Sequence, residues 1–339
     1  MTKIKDILSI HLEEDIKSVI DLNQQDDKSV IDELDGFILT ESLAKHLADF
    51  CDFYVSNTSQ PGLWLSGFYG SGKSYFSKMI GFLLKNPVLS GTSIRDRFAN
   101  KLIGLSNAGL LQNSINELGR SKNHVVLFDA AKTTGNHGIC YMMMGAFLKL
   151  NDDWVGIVEF NLIMSGRYEA FCDKVKEKFG EPWTARRKNM DLVYDTLEDT
   201  MLDGFCSENA YEEMRDAAKQ RIQDYDANKL QEDLTRYLDK NPDLRIVFMI
   251  DEVSEAIAQQ KINILDLEGM AESIATLGRK IWTIAIAQLQ LDDVINGTNV
   301  NKSLLTKIID RFRKRIPIAA EEVDTIIRKR LLAKTADGN

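Results

Sequence analysis

The run Gly67-Phe68-Tyr69-Gly70-Ser71-Gly72-Lys73-Ser74 fits the pattern G-x-x-x-x-G-K-[ST]. Glycines let a backbone curl so that successive N–H groups point inward at an anion, and a helix opening behind them adds its positive end. In such a loop Lys73 would reach the β- and γ-phosphates of a nucleotide, and the Ser74 hydroxyl would ligate Mg²⁺. The candidate nucleotide-binding residues are therefore the eight of the pattern together with Tyr75. With Gly near 7% of average usage, a chance match in a chain of this length is roughly 1%. The plain alternative is a glycine-rich turn closing a strand–helix unit.

A second pattern is Ile246 to Ile250, five apolar residues, followed by Asp251-Glu252. A buried strand ending in two carboxylates at the ligand edge of a sheet could hold Mg²⁺ through Asp251, by way of a water. Glu252 would then orient and deprotonate the attacking water. Acids at a helix N-terminus are an ordinary alternative, and it is the pairing with the loop that favours nucleotide hydrolysis. Two weaker signals follow along the chain. Ile281 to Ala287 ends at Gln288, a polar group at a strand end. Arg311 stands ahead of Arg313, Lys314, Arg315 and the apolar Ile316 to Ile318. An arginine there could reach a γ-phosphate across a subunit interface, with Arg311 preferred over Arg313 or Arg315. The run could equally be a basic cluster for anions or DNA, or a solvated helix end.

The elements that must position these residues are legible as short apolar runs. Leu63 to Leu65, His124 to Phe128, Arg245 to Ile250, Ile281 to Ala287 and Arg315 to Ile318 read as strands of a parallel sheet buried on both faces. Phe37 to Leu39 reads as a short extended stretch, Thr40 as a helix N-cap, and Leu43, Leu47, Phe50, Phe53 and Tyr54 as the apolar face of a helix to about Ser56. A helix after the loop should stop at Asn86-Pro87. The predicted organisation is an N-terminal segment and leading helix over 1–56 and the phosphate-loop half of a core over 57–129. A mainly helical insertion over 130–242 separates these from the acidic-pair half of the core over 243–320, and a helical lid begins at 321–339. The last rests on Val323, Ile326, Ile327 and Leu331 at helical spacing. The fold class expected is α/β.

Composition narrows the function classes. The 339 residues carry 42 Lys plus Arg against 51 Asp plus Glu, a formal net charge of −9, so a polycation coating nucleic acid is excluded while local basic patches are not. Cys51, Cys140, Cys172 and Cys206 form no CxxC pair, and His11, His46, His124 and His137 have no zinc-site spacing. The thiols read as inert in a reducing cytosol. The acidic N-terminus does not resemble a signal peptide, and no apolar run could span a bilayer, so a cytoplasmic location is expected. No Ser-His-Asp arrangement, HExxH or Cys/His cluster offers nuclease, methyltransferase or protease chemistry.

In their order along the chain, these motifs resemble those of an AAA+ ATPase, with Gln288 at the place where that class has its sensor-1 residue. The resemblance extends further. Asp32-Glu33-Leu34-Asp35-Gly36-Phe37-Ile38-Leu39-Thr40, the run Leu63 to Met79, and the strand closing in Gln288 resemble the N-terminal ATPase region of the BrxC family of BREX phage-defence proteins (PglY in the related Pgl system). The likeness covers residues 1 to about 335 and is concentrated in 30–85 and 245–290. Departures are Leu65, Tyr69 and Tyr75, where the family pattern has Ile, Phe and His; none removes a phosphate contact. The resemblance implies a P-loop NTPase fold with a truncated lid, Mg²⁺ and ATP as ligands, and a place in a larger antiviral assembly. Its partners there would be a DNA methyltransferase and a phosphatase-like protein, with double-stranded DNA and further copies of the chain as other possible partners. The readings carried forward are an ATP-hydrolysing motor, a nucleotide-gated scaffold with little hydrolysis, and an origin-recognition-like ATPase outside defence.

Overall fold

The computed structural model describes residues 27–56, 58–68, 70–132, 138–297 and 308–319. The amphipathic pieces around Ile7 and Ile16 and the helix expected from Glu321 lie outside the described residues. The chain forms two compact units. The first comprises Met1–Asp129, Asp243–Glu255 and Gly278–Asn339; the second comprises Ala130–Pro242 and Ala256–Leu277.

The first unit is built on β1 (Gly62–Ser66), β4 (Lys122–Asp129), β5 (Leu244–Asp251), β6 (Ile281–Ala287) and β7 (Lys314–Pro317), with a two-stranded hairpin of β2 (Val88–Leu89) and β3 (Thr92–Ser93) beside it. The five strands form one parallel sheet in the order β4-β5-β6-β1-β7. β1 and β6 are buried along their whole length and β5 from Ile246 onward. Burial on both faces is why these segments read as unbroken apolar runs and not as alternating ones. The register sets Ser66 level with Ala287 and Pro317, and Asp129 level with Asp251. All the C-terminal strand ends therefore open on one edge.

Three helices pack within this unit. Thr40, in extended conformation, accepts the Leu43 N–H with its hydroxyl at 3.3 Å and starts the helix Glu41–Val55. That helix buries Leu47, Phe50, Cys51 and Tyr54, with the Tyr54 ring 4.5 Å from Trp282 of β6. Each such large side chain taken from water contributes about 1.5–3 kcal/mol. The helix Lys73–Lys85 ends at Asn86, whose left-handed φ of 47° and following Pro87 prevent continuation. The helix Asp27–Gly36 is tied to it. Glu33 pairs with the buried Lys78 at 2.6 Å, and the Tyr75 hydroxyl donates to the Glu33 carbonyl.

The second unit is helical, from Gly138–Leu148 through Ala227–Lys240. One expectation is corrected here. Residues 256–277, assigned from the sequence to the acidic-pair half of the core, belong to this unit. The helix Ile264–Ala275 buries Leu267, Met270 and Ile274 and packs on the helices Gly138–Leu148 and Ala227–Lys240. An apolar face goes where its partners are, and sequence adjacency to β5 did not outweigh that. Within the unit, the fully buried Glu159 accepts from the Asn151 N–H (2.9 Å), Trp183 Nε1 (2.7 Å) and Arg187 Nη1 (3.0 Å). No described helix is long and apolar enough to cross a membrane.

Candidate functional site

The loop between β1 and the helix Lys73–Lys85 is anchored on both neighbouring strands. The Gly67 N–H donates to the Ala287 carbonyl at 3.1 Å, and the Ile318 N–H to the Ser66 carbonyl at 2.6 Å. Gly67 is required by space: a Cβ there would lie 2.5 Å from Ser71 Oγ and 2.6 Å from the Ile318 carbonyl oxygen. Gly70 and Gly72 are required by conformation, with φ of 80° and 85°, and the side a Cβ would take is open at both. Between them the Ser71 N–H closes a turn onto the Phe68 carbonyl at 3.0 Å. The Ser71 hydroxyl oxygen is buried with no hydrogen-bond partner among the described residues. Phe68 is 78% exposed at the loop tip. Tyr69 lies outside the described residues.

Lys73 begins the following helix, and its side chain is 6% exposed. Its Nζ lies 3.7 Å from Glu252 Oε1. Ser74, half-buried, is the next residue, and Tyr75 turns its hydroxyl to Glu33. Glu252 follows β5 with a φ of 56°, a left-handed conformation that costs a side-chain-bearing residue about 1–2 kcal/mol. Asp251 Oδ1 accepts the Glu252 N–H at 2.9 Å and helps hold it there. The Gln288 side-chain amide donates to Glu252 Oε2 at 3.3 Å. Residues 73, 252 and 288, from three separate stretches of chain, thus meet at one carboxylate. They meet because β6 lies between β1 and β5.

Electrostatics at this edge favour a cation. Burial, with the charges of Glu252 and Asp129 adding to it, raises the Asp251 carboxyl to about 6, against the opposing pull of the Glu252 N–H and of Lys73. Burial and a hydrogen bond with Glu252 raise Glu255 to about 7. A divalent ion with hard oxygen preferences suits Asp251 and the Ser74 hydroxyl. Mg²⁺ keeps several waters and is commonly held by one or two protein oxygens plus phosphates. Among the described residues no group of three His, Cys, Asp or Glu could hold a metal alone.

Arg311 is not at this edge. A Cβ on Gly62 would come within 2.3 Å of the Arg311 carbonyl oxygen, and Gly62 opens β1 where Ser66 closes it. At the usual strand rise the two ends are roughly 13 Å apart. Arg311 is therefore placed away from its own chain's loop. The neighbouring cations are matched by carboxylates: Arg313 with Asp310 (3.2 Å), Arg315 with Asp292 (2.7 Å) and Lys314 with Asp49 (3.9 Å).

Three residues at the site were not singled out from the sequence. Asp129 closes β4 as Asp251 closes β5, and a strand ending in an acid was the available signal. Ser254 and Glu255 gave none, since serines and acids are ordinary at helix starts. No protein-family model matches the chain.

Proposed function

We propose that this chain is a P-loop ATPase of AAA+ type that binds and hydrolyses Mg·ATP. The observation carrying the reading is the convergence of Lys73, Glu252 and Gln288 beside a loop whose Gly67, Gly70 and Gly72 are each required by space or conformation. The loop N–H groups and Lys73 would hold the phosphates, and Ser74 and Asp251 the Mg²⁺, which would neutralise charge on the phosphoryl group. Glu252 would take the proton of the water attacking the γ-phosphorus as the bond to the ADP oxygen breaks, with Gln288 orienting the carboxylate and Lys73 giving up its contact with Glu252 for the phosphate. Arg311 would act only on a neighbouring copy's nucleotide.

The further proposal of a role in BREX antiviral defence, beside a methyltransferase and a phosphatase-like protein, rests on the likeness of residues 30–85 and 245–290. The ion pairs of Arg313, Lys314 and Arg315 leave less free charge for DNA at that run than the sequence offers. The deciding experiment is thermal unfolding with and without Mg·ATP, on the wild type and Lys73→Ala. At a ligand concentration a hundredfold above Kd, binding adds about 2.7 kcal/mol. A shift that disappears in Lys73→Ala is expected; equal shifts would overturn the site. Phosphate release should then stop in Glu252→Gln while nucleotide binding persists.

A further inference from the structure

A serine at the N-cap of a helix turns its hydroxyl to an N–H of the first turn. Ser254 is instead the second residue of the helix Val253–Ala258, and its hydroxyl reaches the end of another strand. Its Oγ accepts the backbone N–H of Gln288 at 3.0 Å, across 34 residues of chain, and donates to Glu255 Oε2 at 2.9 Å. Ser254 is 6% exposed, so these bonds form largely out of competition with water. Gln288 in turn donates its side-chain amide to Glu252 Oε2 at 3.3 Å. The contacts form a relay from Glu255 through the Ser254 hydroxyl and the Gln288 backbone to the Gln288 amide on the Glu252 carboxylate.

The position of this relay in the sheet gives it a purpose. The ladder between β5 and β6 ends at Ile250 and Ala285. Beyond that pair the two strand ends are held by side chains, and Glu252 stands there in its left-handed conformation. A hydroxyl bonded to the Gln288 backbone fixes where the Gln288 side chain begins, and with it the direction from which the amide meets Glu252. We propose that Ser254 is a positioning residue, its hydroxyl setting Gln288 against Glu252 so that one carboxylate oxygen is held by Gln288 and the other is kept toward Lys73. This rests on the reading of Glu252 as the base.

The test compares Ser254→Ala, Ser254→Thr and Glu252→Gln with the wild type in the full chain, by phosphate release with Mg·ATP, nucleotide affinity, and hydrogen exchange at the Gln288 amide. Losing one oriented hydrogen bond should lower kcat of Ser254→Ala about tenfold, with affinity and KM essentially unchanged and faster exchange at Gln288. Ser254→Thr, which keeps the hydroxyl, should recover most of the turnover and the amide protection. Wild-type kcat in Ser254→Ala, a change confined to KM, or a threonine variant as slow as the alanine one would overturn the assignment. If Glu252→Gln is inactive while Ser254→Ala is not, only Ser254 falls. If Glu252→Gln turns over normally, or the wild type binds nucleotide without turnover, the base itself falls and Ser254 with it.

Discussion

Glu159 in the second unit and Glu252 in the first each anchor a polar network, and the two networks are satisfied to different degrees. Glu159 has no exposed surface and gathers a backbone N–H, an indole N–H and a guanidinium, all at 3.0 Å or less. A loop N–H, a helical indole and a helix-capping arginine supply its partners, so its charge is matched and fixed. The Glu252 side chain is 25% exposed, its contacts are longer at 3.3 and 3.7 Å, and its backbone occupies a strained region. A carboxylate with all its partners in place holds helices together. One held loosely, under strain, beside a lysine that a phosphate could claim is suited to exchange partners during a reaction.

That contrast is open to direct tests. The largest expected effect is on stability at Glu159. Glu159→Ala leaves Arg187 and the Trp183 N–H buried without their acceptor, and should cost about 3–5 kcal/mol. Denaturant unfolding of the second unit, followed through Trp154 and Trp183, measures it. A loss under 1 kcal/mol would remove the distinction between the two glutamates. Glu252→Gln should reverse the pattern, lowering phosphate release by at least about a hundredfold while leaving the unfolding midpoint nearly unchanged.

Asp251 sharpens the contrast through pH. Its carboxyl is raised from 3.8 to about 6 in the folded chain, so between those values the native state binds more protons than the unfolded one, and stability falls as pH rises. The full penalty applies above pH 6 and vanishes toward pH 4. Asp251→Asn should therefore be more stable than the wild type at pH 7.5 by roughly 2–3 kcal/mol, and equal to it near pH 4. Paired melts at the two pH values decide this; a variant less stable at pH 7.5 would mean that the carboxylate is better compensated than its burial implies. The smallest effect belongs to the loop. Gly72→Ala meets no atom but forces a φ of 85° on a side-chain-bearing residue, at a cost of about 1–2 kcal/mol. It should weaken nucleotide binding more than it lowers the melting temperature.

Much of this was legible from local pattern. The helix expected from Thr40 to about Ser56 is Glu41–Val55, the strand expected at Ile281 to Ala287 has those ends, and Asn86-Pro87 stops the loop helix. Each follows from forces acting over a few residues: a hydroxyl cap, continuous burial on both sheet faces, a ring that cannot donate. The helix Asp27–Gly36 was not anticipated, because its short apolar face of Val30 and Leu34 gives a weak period and it is held by the Glu33–Lys78 pair to a helix 45 residues away.

The sequence by itself determined that a glycine-rich loop lies between a buried strand and a helix, and that a second strand ends in Asp251 and Glu252. Tertiary structure alone decided that β6 runs between those strands and delivers Gln288 to Glu252. It also decided that Arg311 falls at the far end of β1, that residues 256–277 join the second unit, and that the Ser254 hydroxyl meets the Gln288 N–H. The reason is range. Conformation and burial period are set within a few residues and leave their mark on composition, whereas strand order and the choice of a hydroxyl's distant partner depend on which surfaces meet after the chain has closed.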